Sequence, residues 1–259
     1  MILHGSVFSK VLEMDTGITV LAPNNPSARG YRVAYVLHGL CGNHATWTDY
    51  TMLPYFAGEG STVYVMPEAG RSFYTDMVFG LDYFTYLVDE LPVICKSMFH
   101  ISEKREDTAI IGGSMGGYGA LKAALTRPEQ YGMCAAFSSC CLFLKEGLED
   151  QRENGLNPEF IAKFGDKLPK DFVSIFGENL AWKPEYEILE LARKAASKKV
   201  SPFLYLACGT EDPFHDDHLR FQEEIKGLAL DVTYEEWPGA HDFPFFNTAL
   251  EKSISYFHL

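Results

Sequence analysis

Thr108-Ala109-Ile110-Ile111-Gly112-Gly113-Ser114-Met115-Gly116-Gly117-Tyr118-Gly119-Ala120-Leu121 joins a strand pattern, a glycine-rich turn and a helix pattern without a break. A short apolar run enters Gly-x-Ser-x-Gly, and a helix-forming run of Ala and Leu begins immediately after it. A serine on a sharp strand-to-helix turn needs neighbours without bulky Cβ atoms, because the two backbones close on each other there. Such a turn lifts the hydroxyl out of the sheet and sets it at the positive end of the following helix. The five-residue string alone is common, and the flanking strand and helix give it its meaning. The competing reading is a glycine-rich turn used only for tight packing.

Outward from this motif the chain alternates. Residues 6–14 and 17–21 read as a hairpin with its turn near 15–17, residues 24–30 as a loop, and 31–37 as a buried strand. A helix at 48–57, a strand at 62–66 and a long helix at 81–99, interrupted at Pro92, follow. After the strand at 108–111 and the helix at 115–125 come strands at 134–138, 203–207 and 231–237, with helices at 214–226 and 245–257. Strand-helix alternation predicts an α/β fold, a mostly parallel central sheet covered by helices on both faces. Residues 142–199 break the pattern with short helical pieces (158–164, 171–176, 184–195) and no strand. They are expected to form a small helical insertion over the C-terminal edge of the sheet, where ligands bind in such folds. A length of 259 residues fits one domain, 1–259.

A serine hydroxyl is a weak nucleophile near neutral pH and needs a base within hydrogen-bond reach. In this architecture the order along the chain is nucleophile, acid, histidine. Asp212, in Cys208-Gly209-Thr210-Glu211-Asp212-Pro213, follows a strand and so falls on the same sheet edge as Ser114. Glu211 competes with it, while Asp216 and Asp217 fall inside the next helix; Asp212 could also simply cap that helix. His241 is in the turn Trp237-Pro238-Gly239-Ala240-His241 after the last strand, where it would face the serine. Backbone N–H donors for a tetrahedral intermediate are expected from Met115 and from Leu40 in His38-Gly39-Leu40-Cys41-Gly42. His38 is read as fixing that loop, and Cys41 as a packing residue.

A formal charge of −13 argues against nucleic acid or an anionic lipid surface as partner, since either needs a local basic patch. Lys198-Lys199 and Lys104-Arg105 are too short to make one. An uncharged small molecule suits the chain better. No run of apolar residues is long enough for a membrane span, and the first residues lack the pattern of a secretory signal. The six cysteines show no C-x-x-C spacing, which points to reduced thiols and a cytoplasmic protein. His215 and His218 have the three-residue spacing of some metal sites, but Asp216 and Asp217 between them suit a helix start, and no metal is expected.

Four ordered segments together resemble the esterase D family: 38–43, 72–76 (Ser-Phe-Tyr-Thr-Asp), 112–120 and 239–243. That family includes S-formylglutathione hydrolases, tributyrin and acetyl esterases and feruloyl esterases. The resemblance spans 6–257 and is nearest to the bacterial tributyrin-esterase branch. It implies an α/β-hydrolase fold and cleavage of short-chain carboxylic esters through an acyl-enzyme, with no cofactor. It also implies Ser114 as nucleophile, Asp212 as acid, His241 as base, and Leu40 and Met115 as oxyanion donors. Feruloyl or acetylated-carbohydrate esters, or a formyl thioester, are the alternative substrates. The family's glutathione-thioester members carry Ser-Gly-Leu-Thr-Cys where this chain has His38-Gly39-Leu40-Cys41-Gly42. A binding protein on this scaffold would be expected to lack part of the triad, and all three parts are present. Trp182 is the candidate pocket residue within 142–199, and a homo-oligomer is compatible with everything above.

Overall fold

The computed structural model describes residues 1–24, 30–198 and 200–259. Most of the loop expected at 24–30, and Lys199 of the basic pair, lie outside the described residues. Eight strands form one sheet: β1 (Ile2–Ser9), β2 (Met14–Leu21), β3 (Arg32–Leu37), β4 (Thr62–Pro67), β5 (Thr108–Gly113), β6 (Met133–Phe137), β7 (Phe203–Gly209) and β8 (Asp231–Trp237). Their order is β1-β2-β4-β3-β5-β6-β7-β8. The β1–β2 and β2–β4 pairs are antiparallel, and every pair from β4 to β8 is parallel.

The helices, in chain order, are α1 (Thr46–Tyr50), α2 (Leu53–Glu59), α3 (Tyr83–Thr85), α4 (Leu91–Met98), α5 (Met115–Thr126), α6 (Leu144–Asn154), α7 (Pro158–Phe164), α8 (Leu168–Phe176), α9 (Ile188–Ala196), α10 (His215–Ile225) and α11 (Phe243–Phe257). Both faces of the central strands are buried, as a sheet covered on two sides requires. Alternation divides the core in two. Ile110, Cys134, Ala136, Leu204 and Leu206 pack with α5 and α9, while Ala109, Ile111, Ala135, Phe137 and Tyr205 pack with α2 and α11. The α9 helix lies against α5, between β6 and β7 in the chain.

Three local expectations are corrected. The hairpin turns at 10–13, not 15–17: Ser9 pairs with Met14 and Gly17 with Ser6. The turn is held by Glu90, whose carboxylate accepts the Ser9 hydroxyl, the Lys10 N–H (2.7 Å) and the Val11 N–H (3.3 Å). The single helix at 48–57 is two, because Thr51 is extended and the Met52 N–H donates to Asn247 Oδ1 at 2.7 Å. The long helix through Pro92 does not stop there. Tyr86–Glu90 widens into a π-helical turn that joins α3 to α4. Pro92 has no N–H to offer Val88, and the Val88 carbonyl instead accepts from Gln130 Nε2 at 3.1 Å.

Candidate active site

Ser114 stands between β5 and α5 with φ +57° and ψ −123°, a conformation that costs a non-glycine residue strain. Its N–H donates to Phe137 O at 2.9 Å, which ties the turn to β6. The glycines around it are sterically required. A Cβ on Gly112 would lie 2.2 Å from Gly116 O, and one on Gly116 would lie 2.2 Å from Leu37 O. The motif therefore encodes the turn through backbone contact alone.

Parallel strands bring the loops after β5, β7 and β8 to one edge of the sheet, and there three side chains meet. Asp212 Oδ2 is 2.8 Å from His241 Nδ1, and His241 Nε2 is 2.9 Å from Ser114 Oγ. An ionised carboxylate only accepts, so Nδ1 carries the imidazole proton, Nε2 is the acceptor, and the serine hydroxyl donates to it. Asp212 Oδ1 also accepts the Phe214 N–H at 2.9 Å. Burial opposes the charge on Asp212. The hydrogen bond to His241 and the charge of that ring when protonated, with the Phe214 N–H, outweigh it and hold the carboxyl below the usual carboxylate range. Glu211 is exposed, and Asp216 and Asp217 belong to α10, so neither competing reading of the acid is realised. Three rings meet His241 edge-on: Phe164, Phe214 and Phe246, at centroid distances of 5.9, 5.3 and 5.2 Å. Such a serine–imidazole–carboxylate line can move a proton off the hydroxyl as it attacks an acyl carbon and return it to a leaving group.

Met115 opens α5, where the first N–H groups have no partner within the helix. On the other side, Gly39 comes within van der Waals reach of Ser114, since a Cβ on Gly39 would lie 3.5 Å from Ser114 Cβ. The Gly39 carbonyl accepts from Gly42 N–H (3.1 Å) and from His38 Nδ1 (2.8 Å). His38 Nε2 accepts the Ala69 N–H at 3.0 Å, which leaves the ring proton on Nδ1. In a trans peptide a pinned Gly39 carbonyl sends the Leu40 N–H the opposite way. Leu40, Met115 and Ser114 all line one cavity.

That cavity is about 290 Å³, and much of its wall comes from α6, α7 and α8, with Leu144, Phe160, Phe164 and Phe172 among the lining residues. A second cavity, about 300 Å³, opens on the His241 side beside Gly39, Tyr50 and Phe243. Trp182 lines neither, which corrects its assignment as a pocket residue. Its Nε1 donates to Glu187 Oε2 at 3.3 Å and the Lys145 ammonium sits 5.2 Å from its ring, so the indole is occupied elsewhere. Phe73, Cys140 and Cys141 line the first cavity with no periodic signal in the sequence to mark them.

His215 and His218 diverge. His215 Nε2 is 2.9 Å from Glu236, and buried His218 accepts the Ser139 N–H at 2.8 Å. Among the described residues no three His, Cys, Asp or Glu side chains stand together as a metal set. Nor, among them, is any helix long and apolar enough to cross a membrane.

A mostly parallel sheet with a serine elbow, a post-strand acid and a post-strand histidine defines the α/β-hydrolase class. The family model Esterase, described as "Putative esterase", matches residues 9–256, and the chain belongs to that family. A curated acetyl esterase of Caldicellulosiruptor saccharolyticus is 28% identical over 269 residues, covering 98% of this chain and 97% of its own. Among solved structures, FphF, a fluorophosphonate-binding serine hydrolase of Staphylococcus aureus, superposes with a TM-score of 0.83 at 25% identity, covering 99% of this chain and 98% of its own. The S-formylglutathione hydrolase FrmB of the same organism shares the fold, with TM-score 0.81, 24% identity and 99% of each chain covered. This chain is a carboxylic-ester hydrolase, and its substrate is a small-molecule ester.

Proposed function

We propose that the chain hydrolyses short-chain carboxylic esters through an acyl-enzyme on Ser114. The carrying observation is the unbroken line Asp212–His241–Ser114 at 2.8 and 2.9 Å, opening on two cavities. Ser114 Oγ attacks the ester carbon while His241 Nε2 takes its proton, and Asp212 stabilises the imidazolium. The Leu40 and Met115 N–H groups receive the carbonyl oxygen as it gains charge. His241 then protonates the leaving alkoxide, and a water deprotonated by the same nitrogen releases the acid.

On this reading each cavity takes one half of the ester. The leaving oxygen must reach His241 Nε2, so the alcohol lies on the His241 side, in the second cavity. The acyl group points into the first, whose walls are largely apolar and aromatic. That space exceeds what an acetyl group fills, which favours butyryl-sized acyl chains. Residues 142–199 act as an insertion of one domain, 1–259, and supply the acyl wall. The six thiols are unpaired, which supports work in the reducing cytoplasm. No nucleic acid or membrane enters the reaction, and a homo-oligomer is compatible with it. Ser114→Ala should abolish both p-nitrophenyl butyrate turnover and labelling by a fluorophosphonate probe. Near-normal turnover in that variant overturns the assignment.

A further inference from the structure

Lys122 has no part in the chemistry above, yet it is fully buried, 2% exposed, on the helix that follows the nucleophile. Lys122 lies one turn beyond Tyr118 on the same side of α5, and the Tyr118 N–H donates back to Ser114 O at 3.1 Å. The Lys122 ammonium donates to Thr75 Oγ1 at 2.8 Å and to Tyr74 O at 3.3 Å. The rings of Phe84, Tyr186 and Tyr118 surround it, with centroids at 4.6, 5.2 and 5.7 Å. A buried cation that meets two acceptors and three aromatic faces is a joint between four segments: α5, the loop 72–76, α3 and the turn at 184–186.

The loop it grips is strained. Phe73 and Tyr74 both have φ +49°, the left-handed region, in succession and without glycine. Such a pair persists only where its surroundings over-determine it, and they do. The Tyr74 N–H donates to Ser72 Oγ (3.1 Å), the Thr75 hydroxyl to Phe73 O (3.0 Å), and the Tyr74 ring lies over Gly119, where a Cβ would come within 2.5 Å of it. Asp76 anchors the far end by accepting the Thr85 N–H and hydroxyl at 2.9 and 2.8 Å. Both ends of the strained pair reach the active site. The Tyr74 hydroxyl donates to His38 O at 3.0 Å, in the residue that pins the Gly39 carbonyl. Phe73 lines the acyl cavity and packs on Phe172, with centroids 5.2 Å apart.

We propose that Lys122 is a positioning residue for ester cleavage: it holds the Phe73–Tyr74 loop, and through the Tyr74 hydroxyl sets the oxyanion loop at Gly39–Leu40. The inference rests on the acyl-enzyme reading, because it gives the Leu40 N–H a task. Lys122 lines neither cavity, so it acts by geometry and never touches substrate. Its surroundings are otherwise costly for a charge. Burial pushes the ammonium down to about 7, and the carboxylates of Asp76 and Glu185 pull it part of the way back. A lowered value in the fold means that stability rises with pH between about 7 and 10.5. A methionine of similar length should therefore lose that dependence.

The test combines Lys122→Met, Tyr74→Phe and the double variant, each assayed with p-nitrophenyl acetate and butyrate. Misplacement of an oxyanion donor lowers turnover more than binding, so kcat should fall roughly 10- to 100-fold with KM nearly constant. Because both substitutions cut one chain of contacts, the double variant should be no slower than the worse single one. A Lys122→Met enzyme with wild-type kcat, or losses that multiply in the double variant, overturns the proposal. Should Lys122→Met fail to fold, Thr75→Val with Tyr74→Phe carries the same test, and multiplying or absent losses there overturn it equally. Wild-type protein without esterase turnover would remove the acyl-enzyme reading itself. An active wild type with an indifferent Lys122→Met removes only this inference.

Discussion

Replacing Asp212 by Asn keeps the shape of the side chain and inverts one of its contacts. The Asp212 side chain is wholly inaccessible, so no water can substitute for what is lost. Oδ1 accepts the Phe214 N–H at 2.9 Å, and Oδ2 faces His241 Nδ1 at 2.8 Å. An amide that keeps its oxygen on the Phe214 N–H turns its NH2 toward His241. Nδ1 must then accept, the imidazole proton moves to Nε2, and His241 donates to Ser114 where it should accept. The flipped amide restores the imidazole but sets NH2 against the Phe214 N–H, donor on donor, at a buried site. The first arrangement is therefore preferred, and it disables the base. A wrong tautomer costs about 10⁴ in kcat, or about 5.5 kcal/mol in the barrier. KM should change little, since Asp212 lines neither cavity. Initial rates with p-nitrophenyl butyrate at neutral pH measure this, with circular dichroism as the control for folding. A kcat within tenfold of wild type, or an equal loss in Glu211→Gln, would refute the reasoning.

The acyl cavity should be adjustable. Leu156→Trp fills it from the loop before α7 and should lower kcat/KM for butyryl esters at least tenfold while sparing acetyl esters, as a substrate series would reveal. Trp182→Phe should leave kcat and KM for both esters within about twofold, because the indole lies outside both cavities; a large rise in KM would return Trp182 to the pocket. Glu68 loses charge stabilisation to burial but gains more from His38, when that ring is charged, and from the Gly70 and His44 N–H groups, and its carboxyl falls to about 2. The unfolded chain then binds the extra proton between about 4.5 and 2, so stability is lost as pH falls through that window. Glu68→Gln should flatten this limb in urea titrations at stepped pH, and an unchanged acid limb would contradict the assignment.

Much of the site is legible in the sequence because its causes are local. Glycine at 112 and 116 answers a backbone contact between residues four apart and a strand that must run beside them. Asp212 and His241 need only follow strands of a parallel sheet, since parallel strands deliver their C-terminal loops to a single edge. Strand-helix alternation carries that much, and β3 to β8 are found where alternation places them, while β1 and the hairpin turn lie earlier in the chain than expected.

Tertiary structure decided what depends on residues far apart in the chain. Glu90 sets the hairpin turn from 80 residues away, as its bond to the Lys10 N–H shows, and Gln130 lets a helix run on through Pro92. The acyl wall on α6–α8 has no motif because an apolar face reads alike whether it meets core or substrate. Trp182 illustrates this: its type suits a pocket, but Glu187 and Lys145 hold it elsewhere. Lys122 illustrates the converse. In the sequence it is one charge on a helix, and only the fold surrounds it with three rings and a strained loop. The serine turn was determined by sequence because sterics act between neighbours. The pocket and its supports were determined by tertiary structure because packing acts between strangers.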